Sequence, residues 1–229
     1  MVTLLALAAP AAAADSGKSL YAANCSTCHG SIGEGNGMRG PTLRNVGARA
    51  ADFYLRTGYM PLQSPDDQPR RTRVLFTEQQ IRALVAYVAS LGGGPPIPRP
   101  HPERGSLSEG MHLFTTNCAG CHQVVAEGGY VTGARVPPLE DATPTQIAEA
   151  VRIGPYLMPR FSKQDLSDRE LDSIVRYVEF TKQPTRPGGW GLGFIGPVPE
   201  GLVTWFIAIP ALLVLCLLLG RRFRREPGA

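Results

Sequence analysis

The sequence predicts an all-α protein: two small helical domains in tandem, followed by one C-terminal transmembrane helix. Three observations predict this. A C-x-x-C-H unit occurs twice, at Cys25–His29 and at Cys118–His122. The segments around the two units repeat one another at an offset of 93 residues, the step from Cys25 to Cys118. Finally, Leu202–Leu219 is a run of eighteen residues without a charge, long enough at 1.5 Å per residue to cross roughly 27 Å of hydrocarbon.

The repeat orders the elements. Gly17–Gly30 (GKSLYAANCSTCHG) aligns with Gly110–Gln123 (GMHLFTTNCAGCHQ), so each half opens on a helix that runs into its C-x-x-C-H unit. Gly40-Pro41-Thr42-Leu43 matches Val136-Pro137-Pro138-Leu139, and Tyr59-Met60-Pro61 matches Leu157-Met158-Pro159. Phe76–Leu91 then matches Leu166–Lys182; each has a capping residue, Thr77 or Ser167, ahead of apolar residues at helical spacing. Each half therefore reads as a helix, a C-x-x-C-H unit, a Pro-Leu turn, a Met-Pro loop and a closing helix.

Around the two halves, residues 1–14 are apolar and end in small residues. They are expected to be a signal peptide cleaved after Ala14, although no basic residues precede the apolar run. The first domain spans 15–94 and the second 106–183. Between them, the proline-rich linker 95–105 favours extended polyproline geometry and limits how far the domains separate. A Gly/Pro-rich juxtamembrane segment covers 184–200, the transmembrane helix 201–220 and a basic tail 221–229. Trp190, Phe194 and Trp205 mark one membrane edge, and Arg221, Arg222, Arg224 and Arg225 mark the other. By the positive-inside rule the tail is cytoplasmic and both domains are extracytoplasmic. Pro210 lies mid-span, where a kink is tolerated.

Composition narrows the chemistry. Net charge is only +4, too little for a nucleic-acid binder. Gly 26 and Pro 21 are abundant and aromatics make up 7%, so each small domain lacks ordinary core material and needs a staple. Four of the five cysteines lie in the C-x-x-C-H units, a pattern that reads as covalent attachment of c-type haem. A redox C-x-x-C is the alternative, but it needs no following His and has no reason to recur. The fifth cysteine, Cys216, sits in the apolar run.

Two covalently bound haem c groups are thus expected, on Cys25 and Cys28 and on Cys118 and Cys121, with His29 and His122 as proximal iron ligands. The i, i+3, i+4 spacing puts both thiols and the imidazole on one turn. The sixth ligand decides the chemistry, since Met raises the potential and fills the iron, whereas an open position permits ligand reactions. Met60 and Met158 are the expected ligands because they occupy matching Met-Pro loops. Met38, in a Gly-rich loop nine residues after His29, is the competitor in the first half. Met111 precedes its own haem unit on the same helix and cannot easily reach the far face. The carbonyls of Pro41 and Pro137 are candidates to accept the Nδ1 proton of each histidine, the alternative being simple turn formation. His101 and His112 are read as solvated. So are Arg70, Arg71 and Arg73, with a haem-propionate or partner contact as the alternative.

These residues carry a resemblance. Each half resembles a class I cytochrome c, and the whole chain resembles the dihaem cytochrome c subunit of the actinobacterial menaquinol–cytochrome c reductase, the bcc complex. The match rests on Arg56–Pro61, Leu91–Pro95, Gly154–Pro159 and above all Pro187–Gly193 with Gly196–Gly201 leading into the anchor. It implies two tandem class I cytochrome c domains with a membrane anchor. Implied partners are a cytochrome b subunit, a Rieske iron–sulfur subunit that delivers electrons, and a copper-containing terminal oxidase that receives them. It further implies that quinol chemistry belongs to those partners, leaving this chain as the electron-transfer subunit with no quinol site. The competing expectations are the electron-accepting cytochrome subunit of another extracytoplasmic dehydrogenase, and a catalytic dihaem enzyme. The second of these requires a reactive iron that paired methionines would not leave.

Overall fold

The computed structural model describes residues 16–183 and 201–224. The signal-peptide reading of 1–14, the juxtamembrane segment 184–200 with Trp190 and Phe194, and the tail from Arg225 lie outside the described residues.

The first lobe contains α1 (Gly17–Asn24), α2 (Ser26–His29), α3 (Gly47–Arg56) and α4 (Glu78–Ser90). The second contains α5 (Leu107–Asn117), α6 (Ala119–His122), α7 (Pro144–Ile153) and α8 (Asp168–Lys182). Both closing helices begin at the residues the sequence marks. Thr77 and Ser167 each accept the N3 backbone N–H, and the N3 side chains Gln80 and Glu170 reach back to the cap. Each such cap stabilises its helix by about 1 kcal/mol.

In each lobe the opening helix packs against the closing one, α1 on α4 and α5 on α8. Glycine makes the crossing possible. A Cβ on Gly17 would lie 2.0 Å from the Ala83 carbonyl oxygen, and one on Gly110 would lie 1.9 Å from that of Ser173. An aromatic pair then fills the seam: Tyr21 and Tyr87 with ring centroids 5.1 Å apart, Phe114 and Tyr177 at 5.3 Å. The free hydroxyls close the loop after each haem unit. Tyr21 donates to the Gly30 carbonyl and Tyr177 to that of Val124, both at 2.8 Å. The apolar cores continue from these pairs through Ile81, Leu84 and Val88 in one lobe and Ile174, Val175 and Val178 in the other. Each such side chain, fully buried, contributes about 1.5–3 kcal/mol.

Two features exceed the sequence expectation. A further helix precedes each Met-Pro loop, α3 and α7, the latter opened by a Thr143–Gln146 capping box. The second lobe also carries a short hairpin, β1 (Gly129–Val131) and β2 (Ala134–Val136), with Tyr130 opposite Arg135. Three-residue strands have too little alternation to register as strands in a sequence.

Both lobes belong to one compact unit, and α3 packs against α7 across it. The proline-rich segment is tied to both. Its Pro95 carbonyl accepts the Arg49 N–H at 3.2 Å, and the His101 N–H donates to the Asp172 carboxylate at 2.7 Å.

The C-terminal helix is a separate unit. Gly201–Arg222 is long and apolar enough to cross a membrane, with a mean hydropathy of 2.8 in its most apolar window. A π-turn at Thr204–Ala208 leads into α9 (Ile209–Arg224). Pro210 lacks an N–H and crowds the carbonyl four residues back, and a widened turn just before it is a usual accommodation.

Candidate functional site

The two C-x-x-C-H units fold alike. The opening helix ends at the first cysteine, whose φ and ψ of −124° and −30° at Cys25, and −122° and −36° at Cys118, break the helix and restart it as the short α2 or α6. On each resulting turn the His N–H donates to the first Cys carbonyl at 2.9 Å. Both thiols and the imidazole therefore share one surface. Both histidines are nearly buried, at 9% exposure.

Second-sphere support differs in detail between the lobes. His29 Nδ1 lies 2.8 Å from the Pro41 carbonyl oxygen, the partner expected for a metal-bound imidazole. Gly40 makes the approach possible, since a Cβ there would lie 3.1 Å from that same nitrogen. His122 Nδ1 has no partner of good hydrogen-bond geometry, although the Pro137 carbonyl is near enough to favour the charged ring. Burial outweighs it, and the His122 pKa is pushed below its ordinary value.

The thiols speak against a redox dithiol. Burial first, and then the neighbouring Cys28 or Cys121, pushes the Cys25 and Cys118 thiols up to about 11. A redox or nucleophilic cysteine needs the opposite shift.

In the second lobe, Cys118, Cys121, His122 and Met158 line one largely apolar cleft of about 1250 Å³, counted out to its open mouth. Phe114, Ile147, Val151, Phe161 and Ile174 supply its walls. A planar apolar macrocycle tethered by two thioethers and ligated from one wall fits this donor set. In the first lobe Met60 is half-buried in the loop that leaves α3, its N–H donating to the Tyr54 carbonyl at 3.1 Å. The competitor Met38 is 94% exposed, in contrast to the half-buried Met60. Met111 is half exposed on α5. His112 is exposed, and His101 pairs with Glu103 at 3.0 Å; neither stands at a haem unit.

Two arginines to which sequence reasoning assigned no role, Arg56 and Arg152, hold the Met loops. Arg152, 5% exposed at the end of α7, donates to the carbonyls of Ser162 and Leu166 at 2.8 and 2.7 Å and to the Asp168 carboxylate at 2.9 Å. It thereby staples the chain after Met158 to the start of α8. Arg56 at the end of α3 bonds Asp52 at 2.7 Å and Glu78, the first residue of α4, at 2.9 Å. The matching places of the two arginines, at the helix end before each Met-Pro loop, were the available signal.

A second unforeseen cluster lies where α3 meets α7. Glu149 is fully buried with neither carboxylate oxygen hydrogen-bonded, and it faces Asp52, itself 4% exposed. Burial, and then the Asp52 charge, push the Glu149 pKa up to about 8.

Comparison with known proteins agrees with this geometry. A family model described as "Cytochrome c" matches residues 14–92, and one described as "Cytochrome C oxidase, cbb3-type, subunit III" matches residues 105–178. The chain is 38% identical to a Corynebacterium efficiens protein named "Cytochrome bc1 complex cytochrome c subunit", over 90% of this chain and 76% of that one. It is likewise 38% identical to a Mycobacterium bovis protein of the same name, over 90% and 77%. A protein of an Azospirillum species named "Cbb3-type cytochrome c oxidase subunit CcoP" is 30% identical over 71% of this chain and 60% of its own length.

Proposed function

We propose a relay role for this chain, which belongs to the family of cytochrome bc1 complex cytochrome c subunits: it accepts electrons from a Rieske iron–sulfur subunit and delivers them to a copper-containing terminal oxidase. Haem c, bound covalently in each lobe, supplies one-electron redox chemistry. The chain's own residues hold, orient and shield it. Cys25 and Cys28 tether one haem and Cys118 and Cys121 the other. His29 with Met60, and His122 with Met158, are the proposed axial pairs.

The observation that carries this reading is the second-lobe cleft, whose lining brings together two thiols, an imidazole and a thioether from sequence positions forty residues apart. A thioether as second ligand fills the iron and raises its potential, which favours carriage over catalysis. The duplicated Met-Pro loop extends the assignment to Met60. Quinol oxidation is then the work of the cytochrome b and Rieske partners, and this chain has no quinol site. The apolar C-terminal helix supports anchorage in the plasma membrane, and the arginines after it support a cytoplasmic C-terminus with both lobes outside.

Spectra and redox titration of Met60→Ala and Met158→Ala test the ligand assignment. Each substitution is expected to change the ligation of one haem and lower its potential. Unchanged ligation in both variants would sink the assignment. Affinity purification of the tagged full chain tests the partners. Recovery with an extracytoplasmic dehydrogenase, and without cytochrome b or Rieske subunits, would replace the proposed reading with the dehydrogenase one.

A further inference from the structure

The second-lobe cleft is not closed by the second lobe alone. Phe53, Thr57, Tyr59, Pro69 and Arg71 of the first lobe line it as well. Tyr59 immediately precedes Met60, so the loop that carries one proposed iron ligand also forms a wall of the other haem's cleft. Besides the histidine, the lining contains two ionisable cations, Arg71 and Arg135, and no carboxylate. Neither arginine is ion-paired among the described residues.

Both arginines have anchored backbones. Arg135 stands on β2 opposite Tyr130, with its guanidinium carbon 6.0 Å from that ring's centre. Arg71 precedes Thr72, whose hydroxyl donates to the Gly58 carbonyl at 2.5 Å and so pins the strap to the turn after α3. Two cations, one from each lobe, thus edge a cleft that is otherwise apolar or neutral. A haem has the complementary form, an apolar disc with two carboxylates on one edge. Carrying those carboxylates into an apolar cleft is costly unless they are paired. The planar guanidinium fork suits carboxylate better than any other side chain.

We infer that Arg71 of the first lobe and Arg135 of the second together clamp the propionates of the haem tethered at Cys118 and Cys121, so that the second haem site is complete only with both lobes. The clamp rests on the haem assignment made above for the second lobe. It has an electrostatic consequence. Positive charge beside the haem favours its reduced form, which carries one more electron. It also keeps the propionates ionised. Docking of the first lobe therefore raises the potential of the second haem.

The test uses the full-length, haem-loaded chain in detergent, titrated spectroelectrochemically at several pH values. Met158→Ala first identifies which of the two redox waves belongs to the second haem. Arg71→Gln and Arg135→Gln are each expected to shift that wave to lower potential and leave the other in place. Each should also introduce or enlarge a dependence of that wave on pH as a propionate becomes protonatable. Arg71→Lys should recover most of the shift, and Arg169→Gln, an exposed arginine on α8, should cause none. A second-haem wave unmoved by either glutamine variant overturns the clamp, as does an equal shift of both waves. Failure of the underlying haem assignment has its own signature: covalent haem at full stoichiometry in a Cys118→Ser/Cys121→Ser variant.

Discussion

Replacing Glu149 by Gln should stabilise the folded chain increasingly as pH rises from about 4.5 to 8. Glu149 lies on α7 with no exposed surface, facing Asp52, Arg49 and Arg56 of α3, with Arg152 on its own helix. Two ionised carboxylates can only accept, so Asp52 and Glu149 share a hydrogen bond only while a proton lies between them. Such a proton partners one of the two otherwise unpartnered Glu149 oxygens and adds to a pKa raised to about 8. Burial is the largest cause and the Asp52 charge the next, with Arg56 and Arg49 opposing them. An ordinary Glu in the unfolded chain titrates near 4.5. Between about 4.5 and 8 the folded protein therefore holds a proton that the unfolded chain has released, and stability falls as pH rises across that window. At ~1.36 kcal/mol per pKa unit, the total loss by pH 9 is on the order of 3–5 kcal/mol. Gln keeps a donor toward Asp52 and does not titrate. Wild type and Glu149→Gln should be closest in stability near pH 4.5 and diverge steadily from there to about pH 8, the variant becoming the more stable. Urea unfolding followed by far-UV circular dichroism on the haem-loaded chain measures this directly. Stability curves for the two proteins that run parallel from pH 5 to 9 would refute the shared proton.

Other perturbations follow from the packing. Gly110→Ala places a Cβ 1.9 Å from the Ser173 carbonyl oxygen. It should cost about 1–3 kcal/mol or prevent α5 from seating on α8, read as a lowered denaturation midpoint; Gly17→Ala should do the same to the first lobe. Arg152→Ala takes the guanidinium donor from the Leu166 carbonyl, leaves the Ser162 carbonyl with only the Leu166 N–H, and removes one of the partners of Asp168. A loss of about 3–5 kcal/mol is expected, with faster hydrogen exchange confined to the segment after Met158 and the start of α8. Tyr177→Phe removes one bond to the Val124 carbonyl and keeps the ring against Phe114. Its cost should be only about 1 kcal/mol, with the haem spectrum unchanged.

The features legible in the sequence are those that local chemistry dictates. The C-x-x-C-H units need only one helical turn to bring their three groups together. Thr77 and Ser167 cap helices by bonding three residues ahead, and the uncharged C-terminal run is defined by its length alone. The repeat added information of a different kind, since Met60 and Met158 drew their assignment from matching positions and not from any local signal. The helices α3 and α7 escaped notice despite the Thr143–Gln146 cap. Their apolar stripes are interrupted by Asp52, Glu149 and Arg152, charged residues buried where Asp52, paired with Arg56 on its own helix, meets Glu149 of the other lobe and where the following loop bonds Arg152.

By itself, then, the sequence marked two covalent haem sites, each with an adjacent histidine, and an apolar C-terminal run, because each is encoded within one continuous stretch. Only the tertiary structure decided what lies across the lobes. The approach of Asp52 to Glu149, and of Arg71 and Tyr59 to the cleft beside His122, joins residues far apart in the chain. Such pairings depend on how α3 docks on α7, and that docking is set by the summed shape and charge of two folded surfaces. No short segment of sequence contains it.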